Sequence, residues 1–395
     1  MIIDDTHDSR ALFDERIRGL FRHALALAWR SPRRLARLLR LLLAQRRAAR
    51  TRGEWQARGL GVPPLLIASI TRRCNLRCRG CYAMARPEAA EPELATTRWA
   101  EVFAEAAGLG VSIIMLAGGE PYTRPDVIDL TDRFPEVVFP VFTNGLLLDE
   151  AKVRALRRRP NLIPVVSLEG PSLQTDGRRG SGVYDRCRDL LALFRRHGIF
   201  YGVSVTLTRR NFWAATSGRF LRALPRSGGR LVFFVEYTPL EPGTENLVLS
   251  AAQRDRLKGL TAKLAADDRG LFIAFPGDEE PYGGCLAAGR GFVHVSASGR
   301  LEPCPFAPFS DRNLHSSTLR EALASPLLAA IRDAHAELVE TRGGCALWNK
   351  RDWVRRLTEA PLRADGQATI GPAPASYRVN GSLDVQGGFD VHPLS

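Results

Sequence analysis

The chain has 395 residues, 45% hydrophobic and 25% charged, which is enough to bury a full core and ordinary for a soluble globular protein. No apolar run reaches the roughly 18–20 residues that a membrane-crossing helix needs, and the acidic start at 1–9 lacks the basic lead-in of a secretory signal. The formal charge of +14 comes from arginine: residues 1–58 hold 14 Arg against 6 acidic residues, and Lys occurs only at Lys152, Lys258, Lys263 and Lys350. So general a bias is a compositional habit, and nucleic acid is not expected as a partner.

Residues 8–58 read as helical. Ser31 and Pro32 supply an N-cap and a proline at the first helical position. Behind them Leu35, Leu38, Leu39 and Leu42 fall on one helical face, with Arg33, Arg37, Arg40 and Arg47 on the opposite one. This suits a helix packed on the main body with a solvated basic face, and it leaves open a peripheral contact with an anionic membrane surface. From residue 65 onward, strand and helix signals alternate. Strand-like runs at 65–71, 112–117, 137–143, 162–168, 200–207 and 230–237 are separated by helical stretches near 98–108, 126–134, 149–158, 183–197 and 211–224. Another helical stretch follows at 250–268.

Six strand–helix units predict a parallel sheet covered by helices. Six are too few for the eight-stranded barrel. The expected fold class is therefore α/β, a partial (β/α)6 TIM-like barrel over 63–275 with a helical, Arg-rich extension over 1–62. Ligands in such folds bind at the C-terminal ends of the strands. After 275 the rhythm stops. Residues 276–313 are rich in Gly, Pro and Cys, helical stretches follow near 318–338 and 345–358, and 276–360 reads as a second, smaller unit. Residues 361–395 read as a flexible tail.

Seven cysteines, at spacings unlike a small disulfide framework, predict metal ligands or buried thiols in a reducing, cytoplasmic setting. Cys74, Cys78 and Cys81 form a C-x3-C-x2-C run directly after the first strand. Three thiolates on one tight loop can ligate three corners of a cubane cluster and leave one iron open. Structural zinc usually takes four ligands, and no fourth is local. These residues resemble the cluster motif of the radical S-adenosylmethionine superfamily, and the likeness covers roughly residues 63–350. The resemblance implies a [4Fe–4S] cluster on Cys74, Cys78 and Cys81, with S-adenosylmethionine as cofactor. Gly80 departs from the family, which often has an aromatic residue there; Tyr82 follows the third cysteine instead.

The second strand ends in Ala117-Gly118-Gly119-Glu120, similar to the family's GGE motif. The resemblance implies that Gly118 and Gly119 let the backbone approach the methionine moiety, and that the Glu120 carboxylate suits its ammonium group. Asn144 lies at the end of the third strand, before Gly145. The fourth ends in Ser167-Leu168-Glu169-Gly170, where similar enzymes have S-x-D-G contacting the cofactor, so Ser167 and Glu169 join the candidate set. Ser204 and Thr206 alternate with apolar residues on the fifth strand and face the barrel interior. Glu236 and Tyr237 end the sixth strand near the expected substrate. A turn explains Asn144 and Gly145 almost as well, and buried hydrogen bonds explain Ser204, Thr206, Glu236 and Tyr237.

Cys285, Cys304 and Cys345 form a second set. Runs at 292–296 and 301–303, with Ser298 and Gly299 at the turn, read as a hairpin that brings Cys285 and Cys304 to one end. Cys345 begins a helix, where the dipole favours a thiolate. The arrangement resembles the SPASM and twitch extensions, without the further closely spaced cysteines of a full SPASM domain. It implies one auxiliary [4Fe–4S] cluster on these three cysteines, with structural zinc as the alternative. Cys187 reads as a small buried residue.

The resemblance implies that one electron from a reducing partner such as flavodoxin or ferredoxin cleaves S-adenosylmethionine to a 5′-deoxyadenosyl radical, which abstracts hydrogen from a substrate. The substrate stays open between a peptide or protein and an intermediate of cofactor or lipid biosynthesis. A non-catalytic iron–sulfur electron-transfer protein is the alternative from another class, and it leaves the 118–120 turn unexplained.

Overall fold

Among the described residues, seven parallel strands and an added hairpin make one open sheet. The computed structural model describes residues 32–86, 91–227, 231–266, 271–275, 282–338 and 345–359. The start of the expected N-terminal helix and the expected tail from 361 lie outside the described residues.

The strands are β1 (Leu65–Thr71), β2 (Ile113–Gly118), β3 (Phe139–Thr143), β4 (Leu162–Ser167), β5 (Gly202–Leu207), β6 (Leu231–Glu236), β7 (Leu271–Phe275), β8 (Phe292–Val295) and β9 (Leu301–Glu302). Their order is β7-β6-β5-β4-β3-β2-β1-β8-β9. Every pair is parallel except β8 with β9. The expected α/β partial barrel is the fold that forms, with β1 to β6 close to their expected limits. The sheet carries a seventh strand beyond the six expected: β7 is a short continuous apolar run with no alternation, a pattern that period alone cannot assign. The expected hairpin of β8 and β9 also forms. Its β8 lies parallel beside β1, with Ile67 opposite His294, so the hairpin extends the barrel sheet.

Helices α1 (Pro32–Ala57), α2 (Tyr82–Ala85), α3 (Thr96–Leu109), α4 (Pro125–Asp129), α5 (Glu150–Leu156), α6 (Ser172–Arg179), α7 (Val183–Arg196), α8 (Phe212–Ala215), α9 (Gly218–Ser227) and α10 (Ala251–Ala266) accompany β1 to β7. After β9 come α11 (Leu319–Leu323), α12 (Pro326–Asp333), α13 (Ala346–Asn349) and α14 (Arg351–Glu359). One face of the sheet, with Ile114, Val141, Val203 and Phe234, packs into the main core with Trp99, Phe103, Leu190 and Phe194. Alternation sends Phe142, Val165 and Phe233 to the opposite, inner face, where they form a separate apolar cluster. In the same alternation Ser167, Ser204 and Thr206 share that inner face toward the C-terminal ends of the strands.

Helix α1 packs on α3, but its buried stripe differs from the expected one. Leu41, Gln45 and Arg52 are buried, Leu38 and Leu42 are half-buried, and Leu39 is 46% exposed. Gln45 donates to the carbonyl of Ser112 at 3.3 Å and Arg52 donates to that of Gly110. Two of the inward residues are thus polar, satisfied at the chain passing from α3 into β2, and apolar periodicity cannot find such a stripe. Among the described residues no helix is long and apolar enough to cross a membrane.

Candidate functional site

Beyond Thr71 the chain crosses the C-terminal ends of the strands, carrying Cys74, Cys78 and Cys81. This segment is stitched to the end of β2: Gly119 N–H donates to Thr71 O at 2.7 Å and Glu120 N–H to Arg73 O at 2.8 Å. The approach requires glycine. A Cβ on Gly118 would lie 2.3 Å from Thr71 O, and one on Gly119 would lie 2.2 Å from Arg73 O. Gly118 also sits at φ 118, a left-handed conformation that side chains rarely adopt.

Glu120 turns into the protein. Its Oε1 accepts from the Thr143 hydroxyl at 2.8 Å and from Tyr122 N–H at 3.1 Å, while Oε2 accepts from Asn144 N–H at 2.7 Å. Burial pushes its carboxyl above the usual value, and these bonds oppose the shift. The Asn144 amide then donates to Asn75 Oδ1 at 2.8 Å and to Cys74 Sγ at 3.9 Å, where Leu76 N–H also donates at 3.4 Å. Gly118, Gly119, Glu120 and Asn144 therefore form one bonded unit around Cys74.

The other side of the loop is gripped from β4. Glu169 is 0% exposed. Its Oε1 accepts from Arg178 and Arg179, each at 2.6 Å, and Oε2 accepts from Thr206 N–H at 3.0 Å. Arg178 continues to the carbonyls of Arg79 at 3.2 Å and Gly80 at 3.3 Å, between Cys78 and Cys81. Its own carbonyl accepts from Arg79 N–H at 3.0 Å. Ser167 and Ser204 bond to each other at 3.1 Å. Tyr237 covers Gly80 so closely that a Cβ there would lie 2.5 Å from the phenol oxygen. Glu236 is buried at the end of β6.

Arg178 and Arg179 had no place among the residues read from the sequence. They lie at the end of α6, a helix that the sequence pattern did not predict. The available signal was an Arg-Arg pair nine and ten residues after a strand-end acid.

The three loop cysteines are half-buried. Burial pushes the thiols of Cys74 and Cys78 up, and the neighbouring cysteine charges add to the rise. For Cys78, Arg179 and then Arg178 pull back down. Arg73, Arg77 and Arg79, between and beside these cysteines, are exposed. A soft three-sulfur donor set with cations around it fits an anionic iron–sulfur cluster. Among the described residues no group of His, Cys, Asp or Glu side chains is drawn together closely enough to hold a single metal ion.

Cys285, Cys304 and Cys345 are buried. Cys345 and Cys285 lie within electrostatic reach of Cys304. Burial and these neighbours push its thiol well above the ordinary value, against the backbone of Phe306. Cys187 is buried too; it donates to Asn144 O at 3.4 Å, and burial pushes its thiol up to about 11.

The family profile of the Radical SAM superfamily matches residues 68–211. The AdoMet-dependent heme synthase of Methanosarcina barkeri is 28% identical over 316 residues, covering 72% of this chain and 88% of that protein. The PqqA peptide cyclase of Gluconobacter oxydans is 30% identical over 257 residues, covering 61% of this chain and 70% of that protein. SuiB of Streptococcus suis, in a crystal structure bound to precursor peptide SuiA, shares the fold with a TM-score of 0.56. That match covers 74% of this chain and 71% of SuiB at 18% identity.

Proposed function

Because the chain belongs to the radical S-adenosylmethionine superfamily, whose members bind that cofactor at a [4Fe–4S] cluster, we propose that Cys74, Cys78 and Cys81 hold the cluster. Gly118, Gly119, Glu120, Asn144, Ser167, Glu169, Ser204 and Thr206 then surround the cofactor's place beside it. The observation that carries this reading is the double grip on the cysteine loop, by Gly119, Glu120 and Asn144 on one side and by Arg178 on the other. When bound, the cluster and cofactor supply reductive cleavage to a 5′-deoxyadenosyl radical that takes hydrogen from substrate.

The chain's own residues fix the loop and offset part of the burial that disfavours thiolate. Arg178 and Arg179 stabilise the anion at Cys78 against its burial. Cys285, Cys304 and Cys345 hold an auxiliary [4Fe–4S] cluster in a unit over 276–360 built onto the 63–275 core. The burial of Cys285 and Cys345 within electrostatic reach of Cys304 suits metal-bound thiolates better than three isolated thiols. An acidic reducing protein of the flavodoxin or ferredoxin class suits the exposed arginines of the loop.

A peptide is the favoured substrate class, supported by the peptide cyclase match across 70% of that relative's length. A porphyrin is the second reading, supported by the heme synthase match across 88% of its length.

The test is anaerobic purification and iron analysis, then dithionite plus S-adenosylmethionine with assay of 5′-deoxyadenosine. Two clusters give about 8 iron per chain. Replacing Cys74, Cys78 and Cys81 together by Ala should halve the iron and abolish cleavage; surviving cleavage refutes the assignment. Stimulation of cleavage by candidate peptides and not by an iron porphyrin supports the first substrate class, and the reverse supports the second.

A further inference from the structure

Tyr82 and Phe306 stand between the two cysteine sites. Tyr82 directly follows Cys81, and Phe306 lies two residues after Cys304. The two rings meet edge to face, with centroids 5.4 Å apart and planes at 78°. The route from Cys81 to Cys304 therefore crosses one ring contact and is otherwise covalent.

A buried polar chain stands behind this contact. The Tyr82 phenol lies near Ser69, and Ser69 Oγ meets His294 Nε2 at 2.8 Å. His294 Nδ1 meets Glu302 Oε2 at 2.7 Å. Arg86 reaches both Glu302 oxygens at 2.5 Å and the carbonyl of Pro305 at 2.7 Å. Ser69, His294 and Glu302 are all buried. The Ser–His–Glu order is that of a hydrolytic triad, but Ser69 lies within β1, buried beside Tyr82. What the chain does is join β1, the turn into α2, β8 and β9, the elements next to both cysteine sites.

We propose that Tyr82 and Phe306 form the electron path between the two cysteine-bound clusters, held in contact by the Ser69–His294–Glu302–Arg86 chain. This rests on the reading of Cys285, Cys304 and Cys345 as cluster ligands. One electron leaves the reduced cluster, which is oxidised by one unit, and enters the other, which is reduced by one. No bond forms or breaks and no proton moves. Electronic coupling decays steeply across a non-bonded gap, and two touching π systems shorten the gap that aliphatic side chains would leave.

The test uses the full chain, anaerobically reconstituted, with laser-flash photoreduction by a deazaflavin and freeze-quench paramagnetic resonance to follow electron redistribution between the clusters. Tyr82→Leu and Phe306→Leu should slow redistribution by an order of magnitude or more, with iron per chain and both midpoint potentials unchanged. Tyr82→Phe keeps the ring and should keep the rate. Unchanged rates in both leucine variants, with both clusters present, overturn the proposal. Equal slowing in Tyr82→Phe also overturns it, since the hydroxyl chain and not the rings would then carry the effect. Should a leucine variant lose iron, Phe306→Met replaces it: the six ligand cysteines remain and one ring is gone, slower transfer is expected, and an unchanged rate overturns the proposal. A wild-type chain with one cluster overturns this proposal and the auxiliary-cluster reading together, whereas two clusters with unchanged rates overturn the path alone.

Discussion

Glu169→Gln tests the grip on the cysteine loop directly. The native carboxylate is fully buried, and the side chains of Arg178 and Arg179 are only 15% and 10% exposed. Three guanidinium N–H groups converge on Oε1, and the Thr206 N–H takes Oε2. Glutamine offers one acceptor and one donor, so its amide NH2 must face either the guanidinium groups or the Thr206 N–H, donor against donor. It also leaves two cations without their anion. Removing one partner of a buried pair costs about 3–5 kcal/mol, and glutamine keeps one acceptor, so about 3 kcal/mol is expected. That is a large share of a typical total of about 5–15 kcal/mol.

Anaerobic urea titration followed by tryptophan fluorescence measures the loss from the shift in midpoint. Glu169→Asp keeps the charge and should lose less, since the shorter side chain forfeits reach and not sign. A loss under about 1 kcal/mol for Glu169→Gln, the range of exposed ion pairs, would show that the arginines are held by something else and refute the reasoning.

Gly119→Ala should displace the loop, because its Cβ would meet the backbone oxygens of Arg73 at 2.2 Å and Arg72 at 2.7 Å, which cannot swing aside as a side chain would. Iron per chain should fall by about half; retention of full iron would count against the stitched loop. Arg179→Met removes the leading cation that lowers the Cys78 thiol, so in cluster-free protein the pH midpoint for alkylation of Cys78 should rise, and a fall or no change contradicts the assignment. His294 is held below its ordinary value by burial, with Glu302 opposing. The unfolded chain therefore binds this proton more readily than the folded one. The associated stability is fully present above about pH 6.5 and is lost as pH falls through the depressed value. Glu302, also held low, adds a loss of the same sign at more acid pH. Urea midpoints across pH 5–8 should fall toward acid, and His294→Gln should flatten that fall.

Most of the barrel was legible because β1 to β6 alternate with helices whose apolar faces repeat at helical spacing. The parts that escaped share a physical cause. Pairing of β8 with β1 joins residues more than two hundred positions apart, and no local pattern encodes it. Helix α6 is polar and carries Gly177, which disfavours a helix interior by about 1 kcal/mol relative to Ala, so nothing in its composition announces it. The stripe of α1 turns on Gln45 and Arg52, whose burial depends on carbonyls elsewhere.

The strand-end acids carry the same lesson into the site. The residue types at 120 and 169 point to carboxylates aimed at a bound cofactor, yet in the folded chain each carboxylate has bonds on both oxygens from the protein itself. Glu120 takes two backbone N–H groups and the Thr143 hydroxyl; Glu169 takes two arginines and a strand amide. A buried carboxylate needs such partners, because its desolvation is otherwise uncompensated. Each partner fixes a segment that borders a cysteine: Asn144 beside Cys74, and Arg178 beside the 79–80 turn. The acids thereby act on the loop before they can act on anything bound to it. This is why Glu169→Gln is expected to register first as lost stability, and only through that as lost iron.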